Sequence, residues 1–591
     1  MQIKNRNQVE ALYTWNLKDI YENEKAFEEE YKSAEADIEK IPTFRDTMMK
    51  SADDLKTALD FYYSVALKVE RLYIYAMLYK SEDNGNPKAQ SLEGRAVNIY
   101  VALNSKSAFI EPLILSDTEK LTEFIEATEL KSYKRMLSEL LRRSKHILSE
   151  REEEILAKLS DAASTPKNAF EMLESVDMTF PDTLGENGEN VPLSHGMYGV
   201  LVKSKNRDVR KAVFENYFGE FNKYINTFAA TYSGSVKTDA FFASVKNYES
   251  SLEAGLFSAG VPTEVYKNLI SSVRKSLPIM EKYISLRKKA LGLSELEMFD
   301  LYPPIVKTKE QKLSYSEAKT LVLEALKPLG ERYSELLNRA FSERWIDVYE
   351  NKGKTTGAFS CGMYGVHPFV HLNYTNTLDD AFTVAHELGH AMHSYLSDEA
   401  QEYHNSDYTI MAAEVASTVN EVLLTLYLLK TETDKAKRAW VLNHFLESFR
   451  ATVFRQTLFA EFELRVHEQQ ESGEPITAES LNKLYKEINE EYYKGVKVSD
   501  LYSIEWARIP HFYNAFYVYQ YATGFSAAVS IAKRIVETGD TKGYLEFLKT
   551  GGSDFPIEEL KLAGVDLSKP ETIENAMKLF DETIEELKNL L

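Results

Sequence analysis

Apolar residues recur at three- and four-residue spacing through most of this chain. In KLTEFIEATELKSYKRMLSELLRRSKHILSEREEEILAKL (120–159) leucines and isoleucines fall at that interval, with charges between them. This is the pattern of amphipathic helices whose apolar stripe faces a core. It predicts packed antiparallel helices over residues 1 to about 180, in preference to a coiled-coil scaffold. The period breaks at FPDTLGENGENVPLSHGMYG (180–199), where clustered turn residues predict a hairpin or linker. Helical spacing returns with NRDVRKAVFENYF from Asn206 and stops again at FDLYPPIV (299–306), where Pro303 and Pro304 end any helix. A third break, YENKGKTTGAFSCGMYG (349–365), holds glycines at 353, 357, 362 and 365, either for an ordinary surface turn or for a loop that closes over a ligand. It leads into HPFVHLNY (367–374), where Pro368 and the alternation predict a strand at a sheet edge.

Composition supports a mainly α chain. Its 25 glycines and 16 prolines make up about 7% of 591 residues, against a usual sum near 12%. So few turn residues disfavour a β-sandwich or barrel. With 44% hydrophobic and 12% aromatic residues, the chain has ample material for a large core. A net charge of −21 repels phosphate backbones, so no nucleic-acid partner is expected. Cys361 is the only cysteine, which excludes an intrachain disulfide and a Cys-rich zinc site. That suits a reducing compartment. The N-terminus MQIKNRNQVE has no apolar signal region, and a cytoplasmic location is the expectation. Residues 512–532 carry no formal charge over a length able to cross a bilayer. Asn514, Gln520, Thr523 and four tyrosines interrupt that stretch, so a buried helix is expected and no membrane partner.

The chemistry concentrates in NTLDDAFTVAHELGHAMHSYL (376–396). Thr377 and Asp380 form a capping-box pattern that starts a helix nine residues before His386. His386 and His390, four apart, share one helical face and can hold one divalent ion. Glu387 is rotated by about 100° from that face. It is better placed as a base toward water at the ion than as a ligand. This is the HExxH arrangement. Gly389 costs helix stability, which predicts a close approach of another backbone.

A third ligand must come from elsewhere. His393 and Leu396 stand where a metzincin needs Gly and His, leaving downstream glutamates: Glu399, Glu402, Glu414 and Glu421. The first two follow too soon for a second helix to fold back. Glu414 lies in the apolar helical run IMAAEVASTVNEVLLTLYLL, where a carboxylate needs a partner or a metal. Glu414 is favoured and Glu421 is the alternative; Glu421, Ser417 and Thr418 are candidates to orient a ligand. His393 reads as a bystander or a hydrogen-bond partner.

At these residues the chain resembles the M3 family of zinc metallopeptidases, in its oligoendopeptidase F branch. The matching stretches include AHELGHAMHSY (385–395), AAEVASTVNE (412–421), FRQTLFAEFE (454–463) and IPHFYNAFYVYQYATG (509–524). RWIDVYENKGKTTGAFS (344–360), FDLYPPI (299–305) and TWNLKDIY (14–21) extend the likeness over the chain. The resemblance implies one Zn2+ on His386, His390 and Glu414, with Glu387 as catalytic base. It implies a helical, clam-like metallopeptidase with a small β-sheet beside the HExxH helix and a deep channel admitting short peptides. An N-terminal helical domain over 1–200 would precede a catalytic domain over 201–591. It also implies a His/Tyr group that helps hold the oxyanion. His511 matches the histidine; among Tyr517, Tyr519 and Tyr521, Tyr519 is chosen, eight residues on and nearly on the same helical face. The expected activity is internal cleavage of short peptides. The alternatives are a metal-dependent carboxypeptidase or dipeptidase on the same scaffold, or a non-catalytic peptide-binding protein. The sequence sets no oligomeric state.

Overall fold

The structure, a computed structural model, describes residues 3–306 and 312–591. The chain is mainly helical with a few short strands. It packs as two compact units built from discontinuous segments. One comprises Met1–Lys145, Glu310–Leu424 and Ile531–Gly564; the other comprises His146–Lys309, Thr425–Ser530 and Val565–Leu591. The packing division therefore differs from a contiguous boundary at residue 200. The reason is where apolar faces meet: Trp15, Ile74 and Leu78 share a core cluster with Met363 and Phe369.

In the first unit, the helices Ala52–Glu82 and Pro87–Ser107 form a hairpin. Ser51 caps the first by accepting from the Asp54 N–H, and Asn86 caps the second just ahead of Pro87 at its first position. Leu55, Leu59, Val69, Leu72 and Ala76 pack against Leu92, Ala96, Ile99 and Leu103 in one cluster, as the apolar spacing requires. A three-stranded sheet is ordered Ile346–Asp347, Phe369–His371, Phe359–Cys361; the first pair is parallel and the second antiparallel. The strand expected at the edge is thus central. Pro368 precedes its first residue, so the missing N–H is not needed by the ladder. The edge beside the HExxH helix is Phe359–Cys361. Gly353, Gly357 and Gly365 have φ near +80°, which accounts for them as turn residues. The Lys354 ammonium, fully buried, pairs with Asp347 at 2.7 Å and ties this loop to the sheet.

The second unit is built around the helices Arg207–Lys223, Ile225–Val245, Thr263–Lys275, Arg455–Glu471 and Ala478–Tyr492. The break at 180–199 contains a hairpin pairing Thr183–Leu184 with Asn190–Val191. The break at 299–306 begins with the short 3-10 turn Met298–Leu301; residues 307–311 beyond it lie outside the described set. Among the described residues one helix, Ile410–Thr431, is long and apolar enough to cross a bilayer, and more than half of its apolar window is buried in the protein.

Candidate metal centre

The HExxH helix runs Leu378–Ala400 and opens with the anticipated capping box, the Asp380 N–H donating to Thr377 and the Thr377 N–H to Asp380. Fixing the first turn fixes which residues face the neighbouring helix Ile410–Thr431. The two approach closely at Gly389, where an added Cβ would lie 2.5 Å from Ser417 Cα and 2.8 Å from the Ala416 carbonyl oxygen. Only glycine fits there. Asn420, fully buried, adds a tie: its amide donates to the Ala385 carbonyl at 3.0 Å and accepts from the Tyr333 hydroxyl at 2.9 Å. Sequence reasoning missed Asn420, whose only signal was a polar side chain in an apolar run.

This contact brings His386, His390 and Glu414 together. Their potential ligand atoms all lie within 4.8 Å of one another. The two Nε2 atoms are 3.2 Å apart, and His386 Nε2 is 3.7 Å from Glu414 Oε2. Two nitrogens on a tetrahedral ion at about 2.05 Å stand roughly 3.3 Å apart, so the pair fits zinc. The other ring nitrogen of His386 is held by Glu421, and His390 bonds to the Ala413 backbone. With Nδ1 of His386 held by Glu421, its Nε2 is left for an ion, the usual effect of an outer partner. Ser417 Oγ reaches Glu414 Oε2 at 3.4 Å. The donor set and its spacing suit a divalent ion of the zinc type.

Electrostatics separate His386, His390 and Glu387. Burial opposes a charge on His386, but its hydrogen bond to Glu421, with Glu387 and Glu414 nearby, pushes its pKa up to about 9. Burial and the neighbouring His386 charge bring His390 down to about 3. Burial raises Glu387 to about 7, with Glu414 and Glu421 adding to the rise and His386 opposing it. Glu387 is buried beside the ligand pair but is not part of the converging set.

His393 stands apart. Its ring is fully buried, stacked on Tyr408 at 3.7 Å between centroids and packed near Phe547. Glu399 pairs with Arg332 at 2.7 Å on the surface. Tyr408 also bonds Ser394 at 2.6 Å, on the wall of a cavity of about 660 Å³. That cavity is lined by His390, Ser360 and Gly362, so it reaches from the ligand pair to the sheet edge. Glu70, Asp398 and Asp407 line the same space, with Asp398 pushed up to about 7 by burial and by Glu70.

His511 and the three tyrosines belong to the second unit. His511 lies on a 3-10 turn, Pro510–Tyr513, and the helix Tyr519–Thr538 begins only afterwards. The premise for choosing Tyr519, one helix running from 511 to 519, therefore fails. Tyr519 is 1% exposed and its ring packs on Tyr266 at 5.2 Å. The hydroxyl near His511 is that of Tyr521, 3.5 Å from Nε2. The Tyr517 ring also faces both, 6.3 Å from His511 and 5.6 Å from Tyr521.

Comparisons with known proteins agree over the whole chain. The model for peptidase family M3 matches residues 200–579, and that for oligopeptidase F matches residues 113–180. Oligopeptidase PepF of Bacillus subtilis is 42% identical over all of this chain and 89% of its own length. The chromosomal oligoendopeptidase F of Lactococcus lactis subsp. cremoris is 41% identical over all of this chain and 99% of its own. The crystal structure of oligoendopeptidase-F from Enterococcus faecium superposes with a TM-score of 0.72 at 36% identity, covering 96% of this chain and 99% of that one. A crystal structure from Chlamydophila abortus reaches 0.94 at 34% identity over all of both chains.

Proposed function

The chain belongs to peptidase family M3 and is a metalloendopeptidase; from that premise we propose that it cuts short peptides internally, using one zinc ion on His386, His390 and Glu414. The observation that carries this reading is the 3.2 Å approach of the two Nε2 atoms beside the Glu414 carboxylate, with Glu421 holding the other face of His386. When bound, zinc supplies Lewis acidity to the attacking water and the scissile carbonyl.

The protein's own groups supply the rest. Glu387 takes the proton of the attacking water and returns it to the leaving amine. In the metal-free site burial pushes this carboxyl up to about 7, which makes it a readier proton acceptor than an ordinary glutamate. His511 and Tyr521 donate to the developing oxyanion, His511 from an exposed turn and Tyr521 from the first turn of its helix. The outer edge of Phe359–Cys361 receives the substrate main chain by β-addition. Such pairing reads backbone before side chain and favours loose sequence preference. The proposed place of action is the cytoplasm, in keeping with a single cysteine.

Internally quenched peptides of about five to thirty residues, blocked at both ends, test this reading. Internal cleavage that stops with a chelator and returns with zinc is expected. Release of terminal residues from unblocked peptides only would instead indicate a carboxypeptidase or dipeptidase. Binding without turnover would indicate a peptide-binding protein.

A further inference from the structure

His511 and Tyr521 are ten residues apart, yet their polar atoms lie 3.5 Å from each other. The chain between them must reverse, and the reversal passes through Phe516. This is the one residue of 511–521 with left-handed backbone, at φ 56°. A bulky aromatic seldom adopts that conformation, so the surroundings must impose it.

Three features do so. The Phe516 ring is 2% exposed and stands edge-on to Tyr266, 5.6 Å between centroids, with the His467 ring 4.6 Å away. It fills a notch left by Gly255, where an added Cβ would come 2.7 Å from Phe516 Cδ2. Its N–H donates to Glu463 Oε1 at 2.9 Å. Glu463 is fully buried, and nothing in the proposed chemistry uses it. Its surroundings are themselves fixed. His467, one turn along the helix Arg455–Glu471, bonds the Glu463 carbonyl through Nδ1 at 2.9 Å and faces Asp239 through Nε2 at 3.3 Å. The Tyr266 hydroxyl donates to the Ala460 carbonyl at 2.8 Å and lies 3.5 Å from Glu463 Oε2.

We propose that Glu463 is a positioning residue for catalysis: by capping the Phe516 N–H it holds the bend that registers His511 against Tyr521. Burying a polar side chain on a helix is costly unless its bonds are made, and Glu463 Oε1 is committed to this one backbone amide. The proposal rests on the reading of His511 and Tyr521 as oxyanion donors. Glu463 acts through them and not on substrate.

The test uses the full-length, zinc-loaded enzyme. Glu463→Leu removes the acceptor, and Glu463→Gln keeps a carbonyl oxygen for the same N–H. Gly255→Ala crowds the Phe516 ring directly, since the added methyl's three nearest atoms are all of Phe516, and it carries the test should the leucine variant fail to fold. Expected for Glu463→Leu and Gly255→Ala is a kcat loss of tenfold or more, with KM within about threefold and zinc content unchanged. Amide hydrogen exchange should rise over 509–521 only. Glu463→Gln should stay within about threefold of the parent. In a His511→Ala background Glu463→Leu should add less than twofold. Unaltered exchange over 509–521, or a full extra loss in the His511→Ala background, overturns the proposal. Full kcat in His511→Ala alone would overturn the oxyanion reading and with it the catalytic role of Glu463. The exchange data would then still report whether Glu463 holds the bend.

Discussion

Gly389 and Ser417 meet backbone to backbone: a methyl group on Gly389 would sit 2.5 Å from Ser417 Cα. The contact lets the helix bearing Glu414 lie against the helix bearing both histidines. Gly389→Ala must push the two apart. Alanine is the better helix former by about 1 kcal/mol, yet overpacking here costs about 1–3 kcal/mol. The variant should therefore melt lower and lose most of its zinc on dialysis. Elemental analysis and thermal unfolding check this; full zinc retention would mean that the separation of the helices does not set the ligand geometry.

Glu387 lies beside the ligand pair without belonging to it. Glu387→Gln should keep zinc at the parent level and lose about 10²–10⁴ in kcat. Retention of more than about a tenth of the rate would refute its role as base.

His386 carries the pH dependence of metal uptake. Burial alone would lower its pKa, but Glu421, with Glu387 and Glu414, raises it to about 9. The raised value stabilises the metal-free fold fully below the unfolded pKa near 6.5, and this is lost as pH rises through about 9. At pH 7.5 the metal-free ring is cationic, so zinc must displace its proton. Calorimetry in buffers of different ionisation enthalpy should find about one proton released per zinc, and affinity should weaken by roughly tenfold per unit as pH falls. Glu421→Gln should release fewer. Zinc binding with no proton release at pH 7.5 would contradict the assigned state of His386.

Tyr521 and Tyr519 should separate cleanly. Tyr521→Phe removes a donor beside His511 and should lower kcat by about 10²–10³ with little change in KM. Tyr519→Phe keeps a buried ring against Tyr266 and should leave kcat within about twofold. An unaltered Tyr521→Phe enzyme would shift the role to Tyr517.

These outcomes track what could be read from sequence. The His386–His390 spacing, the Thr377 cap and the helix-breaking Gly389 are local patterns, and each has the structural counterpart its chemistry demands. Glu414 does come within reach of both imidazoles, but its side chain is partly exposed, so the expectation that an apolar face would force a partner on it does not describe its surroundings. The argument for Tyr519 does not hold in the structure, because an eight-residue spacing means one face only along an unbroken helix and His511 lies on a separate turn. Nothing local in NAFYV announces a left-handed Phe516, which is imposed by Glu463, Gly255 and Tyr266 from distant segments. Pro368 marked a strand start and not an edge, because strand order depends on residues 346–347 and 359–361. The discontinuous units were equally out of reach, since the cluster of Trp15 with Phe369 leaves no trace in local periodicity.

The most direct measurement is anomalous scattering at the zinc edge from crystals of the full chain. One peak is expected, about 2.0–2.2 Å from His386 Nε2, His390 Nε2 and a Glu414 carboxylate oxygen, with Glu421 on the far nitrogen of His386. An ion bound by Glu421 in place of Glu414, or imidazoles turned apart with no ion between them, would contradict the account.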